Sequence, residues 1–117
     1  MKLLVLEQNE LVSKIFKKIF DEKQYHADFA KNDSECLDRF DQNYDYVVVE
    51  NSQANPSLLL EQKIRQVKPS QKFFSLSEYI NYEGPEALRE SKNLIEKPFA
   101  MLTMVAKLEQ ERLIQDY

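Results

Sequence analysis

The sequence of 117 residues contains one glycine, one cysteine, one histidine and no tryptophan. A single cysteine, Cys36, excludes an internal disulfide and any metal site built from several cysteines. With His26 as the only histidine, a histidine-based metal site or a Ser/His/Asp triad would need partners that the chain hardly offers. Cys36 lies at helical spacing with Leu37 and Phe40, which predicts a small core side chain rather than a nucleophile.

Long apolar runs and an excess of basic charge are also missing. The net charge is −4 without a long basic run, which argues against direct binding of nucleic acid. The apolar runs are too short to cross a bilayer, and the apolar start "MKLLVL" gives way to charge, unlike a signal peptide. With 43% hydrophobic and 31% charged residues, we expect a single cytoplasmic domain over residues 1–117 and no membrane contact.

Apolar periodicity alternates between strand and helix along the whole chain. Strands are predicted over 2–6, 25–30, 46–50, 72–77 and 93–96. Helices are predicted to begin at or just after Asn9, Asn32, Pro56, Pro85 and Pro98. Strands that are each followed by a helix imply a parallel sheet covered on both faces. The sequence therefore predicts a doubly wound, three-layer α/β sandwich of the flavodoxin-like type, with five strands and five helices.

Two of the predicted helices have apolar residues whose positions define a face. In the third helix, the predicted buried residues are Leu58, Leu59, Leu60, Ile64 and Val67. In the last helix, the face predicted to pack on the sheet consists of Met101, Met104, Val105 and Leu108. A second apolar stripe of Leu102, Ala106 and Leu113 points elsewhere, and extra apolar surface of this kind is typical of an interaction site.

Polar side chains follow four of the predicted strands. They are Glu7 and Gln8 after the first strand, Glu50 and Asn51 after the third, Ser77 after the fourth and Lys97 after the fifth. Ligands of doubly wound sheets bind at the carboxyl ends of the strands, near the point where the strand order reverses. These residues are therefore the candidate site.

Four short segments resemble the receiver domains of bacterial two-component response regulators. They are "LVLEQNEL", "YDYVVVEN", "FFSLSE" and "LIEKPF", and the Lys-Pro-Phe triplet is the most specific of them. The resemblance covers the whole chain and implies a receiver-type fold. It assigns the acidic pair that holds magnesium to Glu7 and Gln8, the phosphoacceptor to Glu50, the switch hydroxyl to Ser77, the lysine to Lys97 and the aromatic switch to Leu94.

Three of these positions depart from the family pattern. Gln8 is neutral, Leu94 is not aromatic, and Glu50 is one methylene longer than aspartate. The extra methylene moves the carboxylate by roughly 1.5 Å, and a misplacement of ~1 Å commonly costs about a hundredfold in rate. We therefore expect very poor phosphoryl transfer to Glu50, and a vestigial Mg²⁺ site at Glu7, Gln8 and Glu50 that is weak or absent.

Two interpretations of Glu50 remain open. We favour an ion pair with Lys97, since one carboxylate lacks the charge and the acceptor oxygens of a phosphoryl group; the alternative is a fixed partial imitation of the phosphorylated state.

The resemblance and its departures predict a degenerate receiver domain that is not an enzyme, has no resident cofactor and binds a protein partner or a second copy. The expected interface is the face of the predicted helix over 85–92, the predicted strand over 93–96 and the last helix. The alternative is a response regulator that takes a phosphoryl group from a histidine kinase with Mg²⁺. A third possibility, a flavodoxin-like cofactor binder, lacks a glycine-rich phosphate loop in "EQNELV".

Overall fold

The computed structural model describes residues 1–49, 58–76, 100–111 and 113. The elements are β1 (Lys2–Leu6), α1 (Glu10–Glu22), β2 (His26–Ala30), α2 (Asp33–Arg39), β3 (Tyr46–Val49), α3 (Leu58–Val67), β4 (Lys72–Ser75) and a last helix, α4, over 100–111. The predicted strand over 93–96 and the predicted helix over 85–92 lie outside the described residues. The remaining predicted elements are present.

The four described strands form one parallel sheet in the order β2-β1-β3-β4. Val5 of β1 pairs with Phe29 of β2 on one side and with Val48 of β3 on the other. The strand order reverses between β1 and β3, as it does in a doubly wound sheet. The predicted α/β class is therefore confirmed, and the carboxyl end of β1 lies at the reversal point.

A side-chain cap sets the start of α1, and a backbone turn sets its end. The Asn9 side chain accepts a hydrogen bond from the backbone N–H of Val12 at 3.1 Å, which caps the first turn. Past the C-cap Lys23, Gln24 has a φ of 60°, and its backbone N–H donates to the carbonyl of Asp21 at 3.1 Å. A left-handed residue that is not glycine costs about 1 kcal/mol. This turn directs the chain from α1 into β2.

Hydrophobic cores cover both faces of the sheet. Leu3 and Val5 of β1 point to the first core, which holds Phe16 and Phe20 of α1 together with Met101, Met104, Val105 and Leu108 of α4. Leu4, between them in β1, points to the second core, with Cys36 of α2 and with Leu60 and Ile64 of α3. Successive side chains of a strand alternate between the faces. The domain therefore has three layers, as predicted.

The predicted face of α4 is confirmed, because Met101, Met104, Val105 and Leu108 are all buried. The predicted face of α3 is only partly right. Leu60 and Ile64 are buried, but Leu59 is 61% exposed and Val67 is 57% exposed. Leu59 is rotated by about 100° from Leu60, away from the sheet. Val67 is the last residue of α3 and lies past the core. The side chain of Leu58 lies outside the described part of the structure.

None of the helices that the structure describes has the length and apolar composition needed to cross a bilayer.

Candidate functional site

The carboxyl end of β1 places one acidic side chain inside the protein. Glu7 is only 4% exposed, and its backbone N–H donates to the carbonyl of Ala30 at 2.8 Å, which continues the pairing of β1 with β2. Its carboxylate accepts a hydrogen bond from the backbone N–H of Asn9 at 3.1 Å. Glu7 is thus fixed between the end of β1 and the start of α1.

The neighbouring Gln8 has a different environment, since its side chain is exposed to solvent. The two residues that the resemblance assigns to an acidic pair are therefore one buried carboxylate and one exposed amide. In the described part of this sheet edge they supply a single negative charge, and a hard divalent cation binds best to several carboxylate oxygens and water.

A cleft of about 420 Å³ opens beside this carboxylate. It is lined by Leu6, Glu7, Gln8, Lys31, Asn32, Asp33 and Ser34. The ammonium of Lys31 lies 3.0 Å from the carboxylate of Glu10. This hydrogen bond and the opposite charges raise the pKa of Lys31 and lower the pKa of Glu10. The Asn32 side chain accepts from the backbone N–H of Glu35 at 2.8 Å and caps α2. Lys31 and Asn32 on the β2 side thus already have structural roles.

The other predicted site residues lie outside the described residues. They are Glu50, Asn51, Ser77, Leu94 and Lys97. Two of them directly follow described residues, since Glu50 comes after Val49 and Ser77 after Leu76. Val49 and Leu76 are both buried. Val49 pairs with Ser75 across β3 and β4. Whether the predicted residues converge with Glu7 therefore stays a prediction, and no group of three or more metal-binding side chains occurs within the described ranges.

The lone cysteine has the structural role predicted for it. Cys36 is fully buried in the second core, and burial, with a smaller effect from the charge of Asp33, raises the pKa of its thiol to about 12. A thiol that stays protonated is a poor nucleophile, so the predicted core role is confirmed. The His26 side chain is largely exposed, with Nε2 located 3.3 Å from the carboxylate of Asp28.

The sequence patterns gave no indication of three tyrosine hydroxyls that donate to carboxylates. The hydroxyl of Tyr25 donates to Glu109, that of Tyr46 to Glu111 at 2.6 Å, and that of Tyr44 to Asp28 at 2.5 Å. Two of these bonds connect strand starts to α4. The one available signal was the recurrence of tyrosine just before or at the start of a strand, which does not identify an acceptor.

Several solved structures share this architecture. The response regulator TrrA, solved in complex with the histidine kinase ThkA, is 26% identical over 74% of this chain and 77% of its own, with a TM-score of 0.57. The HemR receiver domain from Leptospira biflexa is 18% identical over 86% of this chain and 93% of its own, with a TM-score of 0.56. A CheY-like receiver domain protein from Methanospirillum hungatei is 12% identical over 97% of both chains, with a TM-score of 0.62.

No protein-family model and no curated protein sequence matches the chain. These structures, and TrrA solved with Mg²⁺ and BeF, match most of the chain and are described as response regulator proteins or receiver domains. The resemblance that four short segments predicted is therefore confirmed in the fold, because the chain has the fold of the response regulator receiver domains that it matches.

Proposed function

We propose that this chain is a degenerate receiver domain, which signals by binding a protein partner and is a very poor acceptor of phosphoryl groups. The observation that carries the proposal is the pair at the end of β1, where Glu7 is buried and Gln8 is an exposed, neutral amide. In the receiver family this position holds two acids. A site with one acid attracts a divalent cation less strongly because half of the charge from this pair is gone.

The described donors fit Mg²⁺ poorly for a second reason. One carboxylate oxygen of Glu7 already accepts the backbone N–H of Asn9, and burial limits how far this side chain can move. Mg²⁺ requires near-octahedral geometry and gives up its water reluctantly. We infer that Glu7, Gln8 and Glu50 form a vestigial site, and the function proposed for this chain has no metal-dependent step.

Glu50 directly follows Val49, the buried last residue of β3. As a phosphoacceptor it has a carboxylate displaced by roughly one C–C bond, ~1.5 Å, relative to aspartate. In-line attack is sensitive to such a displacement. We propose that Glu50 forms an ion pair with Lys97 instead.

We further propose that the partner binds the face that combines α4 with the predicted helix over 85–92 and the predicted strand over 93–96. The second apolar stripe of α4 supports a contact surface on this helix, because Leu102 is 48% and Leu113 is 63% exposed. Large apolar side chains that recur on one side of a helix mark protein interfaces more often than single exposed leucines do.

The alternative function is phosphorylation by a histidine kinase. It is favoured by TrrA, which has been solved in complex with the kinase ThkA and, separately, in complex with Mg²⁺ and BeF. If this chain acts in the same way, it should accept a phosphoryl group despite Gln8 and Glu50.

Incubation with acetyl phosphate and Mg²⁺, followed by intact mass measurement, separates the two functions. We expect no phosphoryl adduct on the unaltered chain and none on Glu50→Asp, because Gln8 still leaves the metal site short of charge. The double variant Gln8→Asp/Glu50→Asp should form an adduct. The matched control is Gln8→Asp/Glu50→Asn, which has the added acid but no acceptor carboxylate. A stoichiometric adduct on the unaltered chain would overturn the proposal.

A further inference from the structure

The outer side of α4 forms a shallow groove beside the C-terminal end of α1. Its volume is about 750 Å³, and it extends from Leu102 to Leu113 along α4, with Lys23 at the end of α1 on its border. The groove shares no residue with the cleft beside Glu7.

The floor of the groove is an apolar line along the helix. At about 100° per residue, Leu102, Ala106 and Leu113 lie within roughly 40° of arc. Leu102 and Leu113 are about 16 Å apart along the axis, or three helical turns. The small side chain of Ala106 between them lets another backbone approach closely. This shape suits a second helix that lies along α4.

The charges around this floor are predominantly positive. Lys23 and Lys107 are exposed, and neither forms a salt bridge with any residue in the described ranges. The carboxylate of Glu109, which also lines the groove, already accepts the hydroxyl of Tyr25. Two ammonium groups are therefore available to a partner, while the half-buried Glu109 already accepts a hydrogen bond within the protein.

We propose that this groove binds an amphipathic helix of a partner protein, with leucine-like residues at helical spacing and acidic residues beside them. Apolar anchors at three or four residue intervals fill such grooves, and complementary charge selects the partner and fixes its register. The proposal rests on the proposed role as a partner-binding domain, and it specifies the chemistry of the partner.

A second copy of the chain fits this groove less well. The midpoint between Leu102 and Leu113 is next to Lys107. A two-fold, antiparallel pairing of α4 helices about that midpoint places Lys107 of both copies on the same flank at the same level. Like charges at an interface disfavour association, whereas acidic residues of a different helix meet Lys23 and Lys107 favourably.

The test uses two synthetic helical peptides of one apolar pattern, one with glutamate and one with lysine flanking the leucines. Amide NMR shifts of the full chain are followed as each peptide is titrated without any phosphodonor. We expect saturable shifts at Leu102, Ala106 and Leu113 with the acidic peptide, and at least about tenfold weaker binding of the basic one.

A charge swap makes the test specific. The variant Lys23→Glu/Lys107→Glu should no longer bind the acidic peptide and should bind the basic peptide instead. The matched control Lys17→Glu/Lys63→Glu reverses two exposed lysines outside the groove and should keep the original preference.

Several outcomes would overturn the proposal. They are no saturable shift with the acidic peptide at about 1 mM, equal binding of both peptides, or an unchanged preference in the charge-swap variant. Concentration-dependent dimerisation of the unaltered chain, abolished by Leu102→Glu/Leu113→Glu, would assign the groove to a second copy instead. None of these measurements depends on phosphorylation, so their failure is distinct from the appearance of a phosphoryl adduct.

Discussion

Single hydroxyl groups connect the sheet to its last helix. Tyr25 precedes β2 and Tyr46 begins β3, and their hydroxyls donate to Glu109 and Glu111 of α4. Both tyrosine side chains also pack in the first core. Each therefore combines a buried ring with a hydrogen bond to a carboxylate near solvent, an arrangement typical of tyrosine at the border of a core.

Replacing Tyr46 with phenylalanine should destabilise the fold by about 1 kcal/mol at neutral pH, because the hydrogen bond to Glu111 is lost. Burial, followed by this hydrogen bond, raises the pKa of Tyr46 to about 12. An unfolded chain has a tyrosine pKa of about 10. The folded protein thus holds the proton more tightly, and the stability from Tyr46 is present below pH ~10 and lost as the pH rises towards about 12.

Urea midpoints for the two proteins between neutral pH and about pH 11 test this effect. The difference between them should shrink above pH ~10. A double-mutant cycle with Glu111→Ala isolates the hydrogen bond. Parallel pH profiles, or no coupling in the cycle, would show that Tyr46 acts through packing alone.

Among the elements, α3 shows where helical periodicity fails as a guide to burial. Five apolar residues cover much of the helix circumference, and spacing alone does not select which of them face the sheet. Leu59 and Leu60 are neighbours of the same type, yet Leu59 is 61% exposed and Leu60 is 1% exposed. The position of α3 over the second core decides the difference.

This pair of leucines offers a matched experiment. Leu60→Ala should cost about 2 to 5 kcal/mol, since it removes buried methyl groups and leaves a cavity. Leu59→Ala should change the free energy of unfolding by less than about 0.5 kcal/mol. Each variant is the control for the other in urea denaturation, because both replace leucine by alanine in the same turn. Comparable losses from the two would contradict the exposed position of Leu59 on α3.

The whole molecule depends on β1, which contributes to both cores. Leu3 and Val5 belong to the first core, and Leu4 belongs to the second. All three side chains are fully buried. Because β1 also pairs with β2 and β3, neither core can be disrupted without disturbing the strand that supports the other.

We therefore expect the chain to unfold as one cooperative unit, in agreement with the single domain predicted from its length. Far-ultraviolet circular dichroism and tyrosine fluorescence should give the same midpoint in urea. Met104→Ala in the first core and Ile64→Ala in the second should each shift both signals together. Two separate midpoints, or a variant that shifts only one signal, would show that the two faces unfold independently.

The candidate site was only partly predictable. Sequence spacing located Glu7 and Gln8 after the first strand, because apolar runs of strand length end where polar residues begin. It did not predict that Glu7 is buried and bonded to Asn9 while Gln8 is exposed. Adjacent residues in a turn receive their environments from the packing of β1 against β2 and α1, which no local pattern encodes.

The apolar pattern of the sequence was enough to predict the alternation of strands and helices, the parallel sheet and the buried face of α4. These features follow from backbone geometry, which repeats every 2 residues in a strand and every ~3.6 in a helix. The packing of the folded chain selects which leucine of α3 is buried and which carboxylates accept the tyrosine hydroxyls. Tyr25 and Glu109 are 84 positions apart, and Tyr46 and Glu111 are 65 apart. Such contacts depend on how whole elements lie against one another, and that arrangement is set by the two cores together.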